Sequence, residues 1–227
     1  SASASVDLLD AGNDGETIFS DGSTPGKGAW SSGTLTLTVV GNMTAGTTYS
    51  FSFNVTNPSN ASTSPTINVT ASGSATISSA AMTKPRSQLF GVANGTDPLT
   101  VVVPALTQTG FIQQSTPVAG DPSNVITVTL TSNYHLKNGT GAAAAKVTIS
   151  GLTGTQNSAS PAVTSCNSSA LGTSGTWNQT TGTLVLTATA DINSGVACVI
   201  TITVTNPSSD QSSPTVKVSA TLTDGTS

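Results

Sequence analysis

The chain contains an internal duplication: VTNPSNASTSPTINVTA at 55–71 returns as VTNPSSDQSSPTVKVSA at 204–220. Asn57 corresponds to Asn206, an offset of 206 − 57 = 149 residues, and the same offset relates Gly33 to Gly182. Trp30 and Trp177 also correspond once a two-residue insertion is allowed. A repeat about one domain long indicates tandem modules rather than a solenoid of short units.

The duplication divides the 227 residues into two modules. A chain of this length suggests one or two domains, and the repeat favours two. We predict a first β-module at 1–104, which includes a linker strand, and a second at 105–227.

Alternation of apolar and polar residues predicts the strands. In TYSFSFNV at 48–55 the aromatic residues and Val55 share one face, and Asn54 lies on the other. Similar alternation marks further segments, at 34–39, 67–71, 125–131, 146–152, 184–186, 198–204 and 216–220. Short strands, Gly/Pro/Asn turns and a repeated tryptophan predict an all-β fold of two tandem immunoglobulin-like antiparallel β-sandwiches.

The two modules are not equally complete. The strands predicted at 125–131 and 146–152 precede Trp177, but their equivalents in the first module would lie at or before residue 3, because 152 − 149 = 3. Either the chain is part of a longer repeat array, or other strands complete the first module. These strands could come from LTVVV at 99–103 or from a neighbouring subunit. Repeated head to tail, insertion from a neighbour gives a filament.

Charge is unusually sparse. Charged residues make up 7% of the chain, against about 25% in an ordinary soluble domain. The net charge of −4 argues against nucleic-acid binding, which requires a clustered basic surface. No apolar run approaches the roughly 18 residues of a membrane span.

The chain has two cysteines, Cys166 and Cys198. An even count in a chain that otherwise looks extracellular predicts one disulfide, and two buried free thiols are the alternative. A bond between them would stabilise the fold by roughly 3–4 kcal/mol through loop entropy.

Asn-x-Ser/Thr sequons are frequent, and such motifs accept N-linked glycans in a secretory context. Together they predict an extracellular or cell-surface glycoprotein. The predicted acceptors are Asn42, Asn54, Asn60, Asn68, Asn94, Asn138, Asn167 and Asn178.

The inventory of catalytic residues is poor. His135 is the only histidine, and we expect it to be an exposed loop residue. No nucleophile motif, phosphate loop or zinc spacing is present, so we predict that the chain is not an enzyme and has no cofactor.

Half of the acidic residues lie in DLLDAGNDGETIFSD at 7–21. Carboxylates at short spacing suit Ca²⁺, and Asp10, Asp14 and Asp21 are the candidate ligands of a structural calcium. Gly12 occupies the third position of a calcium loop that begins at Asp10, where an acid or amide is expected, and a polar, turn-rich surface loop is the alternative.

The string W…GTLxLT…TNPS…SPTVxVxA, with ITVTLTSN and VTISGLTG upstream, resembles the tandem β-sandwich repeats of large secreted surface proteins of algae and other microbial eukaryotes. It is also similar to extracellular filament subunits from natural-water samples, whose β-sandwich domains are joined by strand insertion. The resemblance covers most of the chain and implies architecture and location. It supplies no catalytic residues.

Together these features predict a structural subunit of an extracellular, glycosylated filament or surface array. Its partners would be copies of itself, assembled head to tail through β-strand pairing or insertion. A cell-surface adhesin or carbohydrate-binding module is the alternative, which requires a shallow aromatic or calcium-lined site.

Overall fold

The computed structural model describes residues 4–9, 17–73, 76–139 and 144–222. Its strands pair in antiparallel sheets, so the protein is all-β. Contacts divide the chain into two compact units, Ser1–Asn57 (unit 1) and Pro58–Ser227 (unit 2). This division differs from the module boundary after residue 104, which remains a prediction from the repeat.

Unit 1 is built of short strands. They are β1 (Ala4–Asp7), β2 (Phe19–Ser20), β3 (Lys27–Ser31), β4 (Thr34–Thr36) and β5 (Thr38–Val39). β3 lies between β1 and β4, and β2 pairs with β5. The β3–β4 hairpin sets Trp30 opposite Leu35, and Gly33 in its turn has a φ of +81°. Glycine adopts this left-handed conformation at little cost, which explains its place in the turn.

Unit 2 contains the longer strands. They are β6 (Asn68–Ala71), β7 (Ile77–Ala81), β8 (Leu106–Gln114), β9 (Asn124–Ser132), β10 (Lys146–Ser150), β11 (Ala162–Thr164), β12 (Thr176–Asn178), β13 (Thr183–Thr187), β14 (Cys198–Val204) and β15 (Lys217–Thr221), with one helical turn, α1 (Cys166–Ser169). β6 pairs with β7. The others form two four-stranded sheets, in the orders β12-β13-β10-β15 and β11-β14-β9-β8.

The two four-stranded sheets contribute side chains to one hydrophobic core. On β9 alternate residues are buried, and on β14 the same alternation buries Ile200 and Ile202. From the other sheet, Val147 and Ile149 of β10 are fully buried. The period-2 pattern that predicts strands from the sequence is therefore the pattern of burial in unit 2.

The same hairpin occurs in both repeats. β12 and β13 set Trp177 opposite Leu184, as β3 and β4 set Trp30 opposite Leu35. Gly182 has a φ of +59°, and a Cβ there would lie 2.2 Å from the carbonyl carbon of Leu152. The duplicated Trp…Gly-Thr-Leu string thus specifies one structural element, and the two-residue insertion lengthens its turn.

The prediction of a strand at 48–55 is wrong for the described structure. Ser52 pairs with Leu9 in an isolated bridge, and no strand is assigned to this segment. Its equivalent, β14, lies between β9 and β11, which hold it on both edges. A strand needs a ladder of partners, and in the described part of unit 1 this segment forms a single bridge, between Ser52 and Leu9. The candidate linker strand at 99–103 likewise forms one bridge, between Val101 and Ser62.

Candidate functional site

An apolar row in unit 1 is open to solvent. Phe51 is 37% exposed and Val55 is 45% exposed. Leu35, Leu37 and Phe53 are half-buried. These residues are the predicted inward face of the first repeat, so its predicted core is incompletely covered.

The equivalent row in unit 2 is sealed. Its residues are at most 1% exposed: Leu184, Leu186, Ile200, Ile202 and Val204. β10 lies directly beside β13, and β9 lies directly beside β14. The row is therefore flanked by β10 in one sheet and by β9 in the other.

Aromatic side chains partly compensate in unit 1. Phe19 and Phe51 meet edge to face at 5.4 Å between ring centroids, and Trp30 lies 5.9 Å from Phe53. Phe51 and Phe53 stack at 6.5 Å. Such pairs stabilise by about 0.5–1.5 kcal/mol each beyond their buried area. The row is thus an ordered aromatic layer with one exposed side.

The repeated asparagine shows the same contrast. Asn206 is 6% exposed, and its side-chain amide donates to the carbonyls of Thr116 and Val118 at 3.1 and 2.8 Å. Asn124 donates to the Asn206 side-chain oxygen at 2.6 Å. Asn57, at the equivalent position, is exposed. The sequence pattern did not predict this buried network, and its one sequence signal is the exact return of Asn-Pro-Ser.

Cys166 and Cys198 form a disulfide, as their number predicts. Cys198 is fully buried on β14, and Cys166 begins the turn α1. Asn167 and Ser168 in that turn have left-handed φ values of +49° and +56°. The bond therefore ties an irregular surface turn to a core strand.

The acidic stretch divides at the limit of the described residues. The calcium candidates Asp10 and Asp14 lie outside them. Asp21 accepts hydrogen bonds from the backbone N–H of Thr24 at 2.8 Å, from the Ser5 hydroxyl at 2.7 Å and from the N–H and hydroxyl of Ser23 at 3.0 Å. These bonds, the Thr24 N–H first, lower the pKa of Asp21 far below its usual value. Asp21 Oδ1 thus organises the turn through Ser23 and Thr24, and Oδ2 joins the turn to Ser5 on β1.

His135 is less exposed than predicted. Its side chain is 16% exposed, and Nε2 lies 3.3 Å from Asp191 Oδ2 without hydrogen-bond geometry. Its backbone N–H donates to the carbonyl of Phe90, and the Phe90 ring lies 5.9 Å from Tyr134. Among residues 4–9, 17–73, 76–139 and 144–222, no group of three His, Cys, Asp or Glu could hold a metal ion.

All eight sequon asparagines lie at the surface. Each is exposed: Asn42, Asn54, Asn60, Asn68, Asn94, Asn138, Asn167 and Asn178. The side-chain amides of Asn138 and Asn167 donate to the carbonyls of Thr189 and Asp191, both at 3.4 Å. Glycan attachment at these positions remains a prediction.

Comparison with protein families, with curated proteins and with solved structures found no match to this chain. In the part of the chain that the structure describes, no helix is long and apolar enough to span a membrane.

Proposed function

We propose that the chain is a structural subunit of an extracellular, glycosylated filament or surface array, assembled head to tail through β-strand pairing or insertion. One observation carries the proposal. Leu35, Leu37, Phe51, Phe53 and Val55 leave an apolar row open in unit 1, whereas their repeat equivalents are buried in unit 2.

We infer that this open apolar row binds a β-strand. Added backbone hydrogen bonds provide affinity, and alternate side chains fill the exposed row. Contiguous exposed apolar surface of this kind marks interaction sites in soluble proteins. If a neighbouring copy supplies the strand, the contact joins two different surfaces, and its repetition gives an open polymer.

The proposed architecture is two immunoglobulin-like β-sandwiches. Support comes from unit 2, where two four-stranded antiparallel sheets share one core and Trp177 packs against it. The Trp30–Leu35 hairpin of the first repeat has the same register as the Trp177–Leu184 hairpin. A disulfide and exposed sequons fit an oxidising, secretory location.

The test is assembly of the purified full chain, followed by sedimentation and negative-stain electron microscopy. We expect filaments from the wild-type chain and monomers from the double variant Phe51→Asp/Phe53→Asp. Val199→Asp is the matched control, because Val199 is 47% exposed on the sheet that contains β14 and lies outside the open row. A wild-type chain that stays monomeric at all concentrations would contradict the proposal.

The partly exposed aromatic layer also favours a second candidate, a carbohydrate-binding module. Trp30, Phe51 and Phe53 present ring surface that could stack on sugars. A glycan-binding assay separates the two functions. Specific binding by a monomeric chain, lost in the same double variant, would favour the binding module.

A further inference from the structure

Unit 2 has an open side between two outer strands. β8 and β15 are the last strands of their sheets. A cleft of about 620 Å³ lies between them, lined by Leu106, Val218, Ala220 and Leu222. These four side chains pack against the core but remain partly exposed. At the opposite edges of the two sheets, the connection from β11 to β12 passes from one sheet to the other, and the disulfide ties this connection to β14. The cleft thus lies at the other pair of edges.

The β6–β7 hairpin of the same unit lacks a core. Every residue of both strands is exposed, and Val69, Ile77 and Met82 are 55%, 63% and 56% exposed. An isolated two-stranded hairpin is at best marginally stable in water. Further strands or a packing partner would stabilise it.

The hairpin has one apolar and one polar face. Val69 lies opposite Ala80, and Met82 donates its N–H to the carbonyl of Ile67, so these four side chains share a face. Asn68, a predicted glycosylation site, lies on the other face. A glycan there would leave the apolar face free for contact.

The repeat identifies which edge of β15 accepts a strand. β6 is the equivalent of β15, and the Met82–Ile67 hydrogen bond shows that the peptide groups of Ile67 and Val69 face β7. The corresponding residues in the second repeat are Val216 and Val218. In the first repeat, this edge is therefore occupied by an added strand.

In the second repeat, no described strand pairs with the same edge. Ala188 donates its N–H to the carbonyl of Ala145, which extends the β10–β13 register. The peptide groups of the odd-numbered residues of β10 therefore face β13. The peptide groups of its even-numbered residues face β15, where they lie opposite Lys217, Ser219 and Thr221. Because the direction of the peptide groups alternates along a strand, the peptide groups of Val218 and Ala220 face away from β10.

From these observations we infer that the β6–β7 hairpin of one copy docks on the β8–β15 cleft of a second copy. The free edge of β7 adds to the free edge of β15, and the apolar face of the hairpin covers the cleft. In one chain neither β6 nor β7 lines the cleft, so the contact forms between copies. Each copy then supplies one hairpin and one cleft, which gives a contact that propagates. The inference rests on the proposed self-assembly and names a second pair of surfaces for it.

Cysteine crosslinking tests the contact. The native cysteines are bonded to each other, so an introduced cysteine is the only free thiol. Ser78→Cys and Ser79→Cys on β7 are each mixed with Ser219→Cys on β15 under mild oxidation. We expect a disulfide-linked heterodimer at least tenfold above the level given by Thr176→Cys. Thr176 is the matched control because it is exposed on β12, at the opposite edge of the same sheet.

A second variant keeps the two proposals distinguishable. Ile77→Asp changes an exposed residue, so the fold should persist. The critical concentration for assembly should rise at least tenfold. One outcome would overturn the inference and leave the proposed function standing. In that outcome the wild-type chain forms filaments, the cysteine pairs crosslink only at the level of the control, and the Ile77→Asp variant assembles normally. Specific crosslinking without filaments would support this contact and overturn the filament. Absence of both would overturn both.

Discussion

The two repeats place nearly the same residue pattern in opposite environments. Phe51 is 37% exposed, whereas its equivalent Ile200 is fully buried. Val55 is 45% exposed, and its equivalent Val204 is 1% exposed. Local sequence therefore does not decide burial in this protein. The deciding factor is whether strands pair with both edges of the segment, as β9 and β11 do with β14 in unit 2.

The largest difference in stability between the repeats is expected when a charged residue is introduced at the equivalent positions 200 and 51. Ile200→Asp removes a buried side chain, which alone costs about 2–5 kcal/mol, and adds an unpaired buried charge that costs several more. We expect it to unfold unit 2. Phe51→Asp should cost the isolated chain less, about 1–3 kcal/mol, because it removes two ring contacts at a site that solvent already reaches.

Urea unfolding of single-tryptophan variants measures each repeat separately. Trp30→Phe leaves Trp177 to report on unit 2, and Trp177→Phe leaves Trp30 to report on unit 1. Equal losses for the two charge substitutions would show that the first-repeat row is buried in solution.

Reduction of the disulfide should give the next largest effect. The bond joins residues 32 apart in sequence, and loop entropy assigns it about 3–4 kcal/mol. Because Tyr49 stands in place of Cys198 in the first repeat, only the Trp177 transition should shift on reduction. Unfolding with and without dithiothreitol measures this, and a shift of the Trp30 transition by the same amount would contradict it.

A smaller contrast is expected from the repeated asparagine. Asn206→Ala leaves the Asn124 amide and two carbonyls without their partner, at a cost of about 2–3 kcal/mol. Asn57→Ala should change stability by less than about 0.5 kcal/mol, since Asn57 is exposed. Paired urea midpoints compare the two variants. An equal loss for Asn57→Ala would reveal a comparable network in the first repeat.

The smallest effect should be the pH dependence of stability, and we expect it in both repeats. Hydrogen bonds lower the pKa of Asp21, chiefly from the Thr24 N–H, and of Asp121, chiefly from the Ser123 N–H. A lowered folded pKa stabilises the fold above the unfolded value of about 4, and this stability is lost as the pH falls through the folded value. Both sites are exposed, so the change should be slight.

Urea midpoints measured from pH 5 to pH 2 would show this loss. Asp121→Asn should flatten the profile of unit 2, and Asp21→Asn should flatten that of unit 1. A profile that keeps its full slope in both variants would assign the pH dependence to other carboxyl groups.

Alternation in the sequence predicted six strands of unit 2 and missed four, β7, β8, β11 and β12. The segments at 125–131 and 146–152 became β9 and β10, and the inward residues Val147 and Ile149 are fully buried. The same reasoning failed at 48–55. Alternation reports which side chains would share a face, but a strand also needs neighbours, and these are not encoded locally.

Polar contacts were harder to predict than apolar ones. The burial of Asn206 and His135 depends on segments far away in sequence: Asn206 bonds to Thr116 and Val118, and His135 to Phe90. Asparagine and histidine are usually at least partly exposed, so composition favours the opposite expectation. The cleft between β8 and β15 was also unpredictable, because it depends on which strands end their sheets.

The Asn206 network has a mechanical consequence for a chain under tension. A pull on the segment before β8 would load its ladder with β9 from Leu106 onward, so the hydrogen bonds would break one after another. This peeling would stop where the Asn206 amide holds the turn at Thr116 and Val118. Beyond that point, further extension would require rupture of a buried polar cluster and of the core behind it. Asn206 would thus act as a mechanical stop that lets β8 yield while the rest of unit 2 stays folded.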